Sequence, residues 1–81
     1  MKVDVSLDLY RIFCAVVRTG NMSAAARELF ISQPAVSMSI RQLEDRMGSP
    51  LLVRTAKGVY PTAEGKLLYT YLEQALGLIQ A

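Results

Sequence analysis

Apolar residues recur along the first part of the chain at the spacing of one helix face. They stand at i, i+4, i+7 and i+8, namely Leu9, Phe13, Val16 and Val17. This periodicity predicts an amphipathic helix over residues 7–19. Ser6 is suited to cap its first turn, and Gly20 is suited to end it in a left-handed conformation.

Two further helices follow with little connecting chain. A short helix is predicted over residues 24–29, with Ser23 as its N-cap. Ala26 lies within it, and a small side chain there lets a neighbouring helix cross closely. Phe30 occupies the turn where a glycine is usual. The third helix is predicted over residues 33–47 and buries a stripe spaced by four, three and four residues: Val36, Ile40, Leu43 and Met47.

The pattern then changes from helical to strand-like. Residues 51–54 and 59–60 read as two short strands joined by a turn that ends in Gly58, which predicts a small hairpin. Thr62 is suited to cap a last helix running to Ile79. That helix carries a wide apolar arc made of two adjacent stripes: Leu68, Leu72, Leu76 and Ile79, and beside them Leu67, Tyr71 and Leu78. An arc this wide exceeds what one small core covers, so part of it is expected to meet a partner chain.

The element order is helix, helix, turn, helix, hairpin, helix. It predicts a mainly α fold, a winged helix-turn-helix of three helices and a small β-hairpin wing, followed by a long C-terminal helix. Residues 1–61 are assigned to the winged domain and residues 62–81 to this last helix.

Composition narrows the function classes. The chain has 81 residues, a formal net charge of +2, one cysteine and no histidine. Cys14 has no partner for an internal disulfide and reads as a small core residue rather than a redox group. Metal sites and cofactors are not expected in this domain, and no catalytic constellation is available, so an enzyme is not expected. No run approaches about 18 uninterrupted apolar residues, which predicts that no helix spans a membrane. Acids stand in the N-terminal segment where a secretory signal would be apolar, which predicts a cytoplasmic protein.

The segments SQPAVSMSIRQLEDRMG and LLVRTAKGVYPTAEGKLL resemble the N-terminal domain of LysR-type transcriptional regulators. The resemblance extends from about Leu7 to Leu76. It implies sequence-specific binding to double-stranded operator or promoter DNA as a homodimer. The homodimer would be joined through residues 62–81, which correspond to the family's long linker or dimerisation helix. Whether the intact protein forms a dimer or a tetramer stays open. The resemblance also implies an effector-binding domain that this chain does not contain.

Side chains on the outward side of the third helix are the candidates for reading bases. A recognition helix presents the side chains of its N-terminal half to the major groove. Gln33 can bond adenine bidentately, and Arg41 can reach guanine or a phosphate. The remaining candidates on this helix are Ser32, Pro34, Ser37 and Met38. Three alternatives stay open: Gln33 only caps the helix, Arg41 pairs with Asp45, or Met38 only packs.

The resemblance adds candidates outside this helix. It implies that Arg54 and Lys57 on the hairpin contact phosphates or the minor groove, although both can also be solvated surface charges. Ser23 is a candidate donor to a phosphate. Dimerisation is assigned to the last helix, through Leu68, Tyr71, Leu72, Leu76 and Ile79.

A winged-helix module that binds another protein is the alternative function. A DNA reader is expected to stay folded but lose cooperative binding after Leu72→Asp. A protein-binding module is expected to show no DNA binding above background.

Overall fold

The computed structural model describes residues 7–80, except for the side chains of residues 78–80. These residues form four helices and one antiparallel pair of strands. The elements are α1 (Leu7–Thr19), α2 (Met22–Leu29), α3 (Gln33–Met47), β1 (Leu52–Thr55), β2 (Gly58–Pro61) and α4 (Ala63–Gln80). The predicted mainly α, winged helix-turn-helix architecture is confirmed. Ser6, predicted to cap α1, lies outside the described residues.

The start of α2 differs from the prediction. The helix begins at Met22, and its N-cap is Asn21, whose side chain accepts a hydrogen bond from the Ala24 N–H at 2.9 Å. The prediction that Ser23 is the cap is therefore wrong. Both residue types suit a cap, but Met22 is buried and packs with the core. Starting the helix at Met22, two residues before the predicted start, places that apolar side chain on the inner face.

The turn between α2 and α3 reaches a left-handed conformation without glycine. Phe30 has φ 59° and ψ 40°, and its N–H approaches the carbonyls of Ala26 and Arg27. Its side chain is 94% exposed. The backbone at this turn thus takes the conformation that glycine adopts most readily, and the aromatic ring gains almost no burial in return.

The core lies where α1, α2 and α3 cross. Its largest fully buried side chains are Phe13, Val16, Val36, Ile40 and Leu43. Ala26 is buried at the crossing, as predicted. Met47 was predicted to complete the α3 stripe, but its side chain is 39% exposed. It stands in the last turn of α3 and lines a surface depression with Leu67, Leu68 and Tyr71 of α4.

The strands pair from Leu52 with Pro61 to Thr55 with Gly58, so the hairpin forms close to its predicted position. It is joined to the helices at both ends. The Val59 N–H donates to the Gly20 carbonyl at 3.0 Å. At the other end, the Glu44 carboxylate accepts hydrogen bonds from the N–H groups of Leu51 and Leu52 at 2.7 and 3.2 Å. These bonds fix the hairpin relative to α3.

The last helix returns across the hairpin to α1. Thr62 caps it, as predicted, by accepting a hydrogen bond from the Gly65 N–H at 3.0 Å. A Cβ on Gly65 would lie 2.0 Å from the Leu51 carbonyl oxygen, so this close approach requires glycine. Within residues 7–80, none of the helices has the length and apolar character needed to cross a membrane.

Candidate nucleic-acid interface

The two sides of α3 differ in what they contact. Its inner side is closed by Val36, Ile40 and Leu43. The outer side carries exposed Gln33, Pro34, Met38 and Arg41, while Ser37 is partly buried. The predicted base-reading candidates therefore lie together on one surface, and that surface is the part of α3 that packing leaves free.

The structure decides two of the alternatives left open for this surface. Met38 is 63% exposed, so it does not serve core packing. Arg41 forms no ion pair with Asp45 in the described part of the chain. Its guanidinium is thus available for a charged or hydrogen-bonding partner outside the domain.

The N-terminus of α3 is capped by Ser32 rather than by Gln33. The Ser32 side chain accepts a hydrogen bond from the Ala35 N–H at 3.2 Å. Pro34 follows in the first turn, where its missing N–H costs no helical hydrogen bond. Gln33 is therefore released from capping, and its exposed carboxamide extends from the first position of the helix.

Ser23 reaches the same point from α2. Its hydroxyl donates a hydrogen bond to Oε1 of Gln33 at 2.8 Å. The two residues are ten positions apart in sequence, and the contact depends on the angle at which α2 crosses α3. Sequence reasoning placed both residues on the binding surface but did not predict that they contact each other.

Two basic side chains mark the hairpin. Arg54 and Lys57 are exposed, and neither forms an ion pair with a described carboxylate. Thr55 shapes the turn that carries Lys57, since its hydroxyl accepts from the Lys57 N–H at 3.1 Å and donates to the Gly58 carbonyl at 2.9 Å. The hairpin therefore presents both positive charges to solvent, Arg54 on β1 and Lys57 on a turn held by hydrogen bonds.

Glu44 is a supporting residue that sequence reasoning did not assign. Its carboxylate, near the C-terminal end of α3, holds the N–H groups that precede and open β1. The sequence signal for it is weak, because an acidic residue near the end of a helix usually reads as a solvated charge. Its effect is to couple the position of the hairpin to that of α3.

The apolar arc of α4 divides into a buried and a free part. Leu72 and Leu76 are each 8% exposed and belong to the core, and Leu68 is partly buried against it. Leu67 and Tyr71 are about 60% exposed, while the side chains of Leu78 and Ile79 lie outside the described residues. Because Leu72 is a core residue, the expectation that Leu72→Asp leaves the chain folded is wrong.

Cys14 is buried between α1 and α4. Burial raises the pKa of its thiol to about 11, with a smaller contribution from the nearby Glu73 carboxylate, while Arg18 acts in the opposite direction. A thiol with a raised pKa is a poor nucleophile. Within residues 7–80, no cluster of His, Cys, Asp and Glu side chains has the arrangement of a metal site.

Residues 7–66 match the family model for the bacterial regulatory helix-turn-helix protein, lysR family. The chain is 47% identical over 75 residues to a RuBisCO operon transcriptional regulator of Allochromatium vinosum, covering 93% of this chain and 24% of that protein. It is 43% identical over 70 residues to the HTH-type transcriptional activator AmpR of Rhodobacter capsulatus, covering 86% of this chain and 24% of that protein. The chain thus spans about a quarter of the length of these curated relatives.

Solved structures agree with the sequence comparison. The complex of the BenM DNA-binding domain with catB site 1 DNA has a TM-score of 0.90 at 36% identity, covering 94% of this chain and 84% of that one. The complex of the CbnR DNA-binding domain with DNA has a TM-score of 0.87 at 33% identity, covering 94% and 87%. With its helix order, its hairpin and its matched residues in agreement, the chain belongs to the LysR family of bacterial regulatory helix-turn-helix proteins.

Proposed function

We propose that this chain is the DNA-reading part of a LysR-type transcriptional regulator, binding double-stranded DNA in a sequence-specific manner. One observation carries the proposal. The outer side of α3 presents a carboxamide, a thioether and a guanidinium to solvent, and the hairpin beside it presents two further cations. A helix of this kind enters the major groove, and cations flanking it meet the phosphate backbone.

Each side chain on α3 suits a particular contact. Gln33 bonds adenine through both ends of its carboxamide, and Arg41 donates to guanine or to a phosphate. Pro34 and Met38 lie against thymine methyl groups, since both are apolar and exposed. Ser37 reaches a base or a phosphate from the flank. The N–H groups of the first turn of α3, next to Ser32, favour a phosphate.

The hairpin supplies the sequence-independent part of the binding. Arg54 and Lys57 neutralise phosphates at the edge of the groove or enter the minor groove. Contacts of this kind set the register of the protein on the duplex without reading bases. The net charge of only +2 favours weak binding by one domain, so two domains on paired half-sites are needed.

Homodimerisation is assigned to α4. The exposed side chains of Leu67 and Tyr71 flank partly buried Leu68 and form an apolar face that the described residues leave uncovered. The same face of a second copy covers it when the two copies pack about a two-fold axis. This symmetry matches that of paired inverted half-sites. The intact protein is proposed to act in the cytoplasm, with its effector site outside this domain.

Selection from a pool of random duplexes at low salt tests this function. Enrichment of two inverted half-sites, separated by about one helical turn or a multiple of it, is the expected outcome. Gln33→Ala is expected to cost about 1–3 kcal/mol at the selected site and to relax preference at one position. Gln74→Ala, an exposed glutamine on α4, is the matched control. Failure to enrich any sequence contradicts the proposal and favours a protein-binding module.

A further inference from the structure

The contact between Ser23 and Gln33 determines which hydrogen-bond donors and acceptors of each side chain remain available to DNA. A serine hydroxyl has one proton to donate and two lone pairs to accept with. Here the proton is directed to Oε1 of Gln33 at 2.8 Å. Phosphate oxygens only accept hydrogen bonds, so this hydroxyl has no proton left for one. The assignment of Ser23 as a phosphate donor therefore conflicts with the bond that the structure shows.

The same bond orients the Gln33 carboxamide. Because Oε1 accepts the Ser23 proton, neither hydrogen of Nε2 takes part in this contact. One lone pair of Oε1 also stays available, because an amide oxygen accepts two hydrogen bonds. A free Nε2–H and a free lone pair are the two groups required to bond N7 and N6–H of adenine at once.

We propose that Ser23 is a positioning residue for base reading, whose hydroxyl holds Gln33 in the orientation that reads adenine. This inference rests on the proposed DNA-binding function. Ser23 then influences sequence preference without touching a base. Gln33 is long and exposed, so an unrestrained side chain loses rotamer freedom on binding DNA. Ser23 restricts that freedom before DNA arrives.

The first experiment is a double-mutant cycle on the duplex selected by the unmodified chain. Ser23→Ala is expected to weaken binding about three- to tenfold, the fold-change equivalent to restraining one flexible side chain. In the Gln33→Ala background the same substitution is expected to have no further effect, because its target is absent. Ser23→Thr keeps a hydroxyl and is expected to restore most of the affinity. An equal loss in both backgrounds overturns the proposal.

A second measurement reads the base contact directly. The selected duplex is prepared with 7-deazaadenine, which lacks the N7 acceptor, at the position whose preference Gln33→Ala relaxes. This change is expected to weaken binding by the unmodified chain and to have a smaller effect on Ser23→Ala. A Ser23→Ala loss that is the same on selected and random duplexes identifies a phosphate contact instead and overturns the proposal.

Folding is monitored separately by circular dichroism melting. Ser23 is not the N-cap of α2, so alanine is expected to leave the melting temperature nearly unchanged. If the unmodified chain selects no sequence at all, the proposed function fails, and the positioning role falls with it. A chain that selects a sequence but shows no coupling between Ser23 and Gln33 retains the function and rejects only this inference.

Discussion

The Glu44 carboxylate accepts a hydrogen bond from the backbone N–H of Leu51 at 2.7 Å. A second N–H, that of Leu52, reaches the same oxygen at 3.2 Å. Helix α3 and the hairpin are therefore joined by a carboxylate acceptor as well as by chain connectivity. This joint holds the outer side of α3 and the two hairpin cations in one relative position, which the proposed contact of both with one stretch of duplex requires.

Replacing Glu44 by alanine is expected to loosen this joint. Hydrogen bonds to a charged group contribute about 1.5–3 kcal/mol each, so we expect a loss of at least about 1.5 kcal/mol in the free energy of unfolding. Urea denaturation measures it. Asp45→Ala removes a neighbouring exposed carboxylate and is the matched control, with little change expected. Equal stability of the two variants would contradict the conclusion that Glu44 fixes the hairpin to α3.

Lys57→Ala is expected to weaken binding to every duplex and to flatten its salt dependence. Each phosphate that the protein no longer neutralises reduces the slope of log affinity against log salt by about 0.9. Lys57→Arg preserves the charge and is expected to preserve the slope. Fluorescence anisotropy titrations at several salt concentrations measure it. An unchanged slope for the alanine variant shows that this turn does not touch DNA.

Phe30→Gly is expected to stabilise the domain by about 0.5–1 kcal/mol. Relief of the left-handed conformation gains about 1–2 kcal/mol, and the greater entropy of glycine in the unfolded chain offsets part of it. The exposed ring contributes almost no burial that the change would lose. Thermal melts of Phe30→Gly and Phe30→Ala separate two effects, the relief of the left-handed conformation and the loss of the aromatic ring. Alanine keeps the strained conformation, so a gain as large as that of glycine contradicts the explanation.

Tyr71→Ser is expected to reduce self-association and cooperative DNA binding while leaving the unfolding transition in place. The side chain is 62% exposed, so it adds little to the core of one chain. Leu72→Ala is the contrasting change, since truncating a buried leucine costs about 2–5 kcal/mol. Sedimentation velocity and melting curves distinguish the two. Unaltered association after Tyr71→Ser places the dimer contact elsewhere.

The raised pKa of Cys14 predicts slow alkylation and a specific pH dependence. Its thiol stays protonated until pH about 11, so iodoacetamide at pH 8.5 is expected to label the folded chain far more slowly than the denatured one. The native state holds this proton more tightly than the unfolded state does. Stability is therefore present below the ordinary thiol pKa and is lost as pH rises toward 11. Cys14→Ala is expected to remove this loss of stability at high pH. Rapid labelling of the native chain would contradict the prediction that the thiol is buried and protonated.

Local sequence determined most of the secondary structure. Apolar spacing defined α1 and α3 within a residue, and capping residues such as Ser32 and Thr62 act within three positions of their partners. Apolar spacing and capping involve residues close together in the sequence, so they can be identified without knowledge of the fold. The similarity of the HTH segment and hairpin to LysR-type regulators likewise depends on residue identity and spacing alone.

Tertiary structure decided the contacts between residues distant in sequence. Asn21 caps α2 because burying Met22 moves the helix start. On α4, Leu72 enters the core and Tyr71 does not, since the packing angle against α1 selects one of two adjacent stripes. Ser23 meets Gln33, and Glu44 meets Leu51, only because helix crossings and the hairpin bring them within hydrogen-bond distance. Crossing angles arise from the packing of the whole core, and periodicity along one helix carries no information about them.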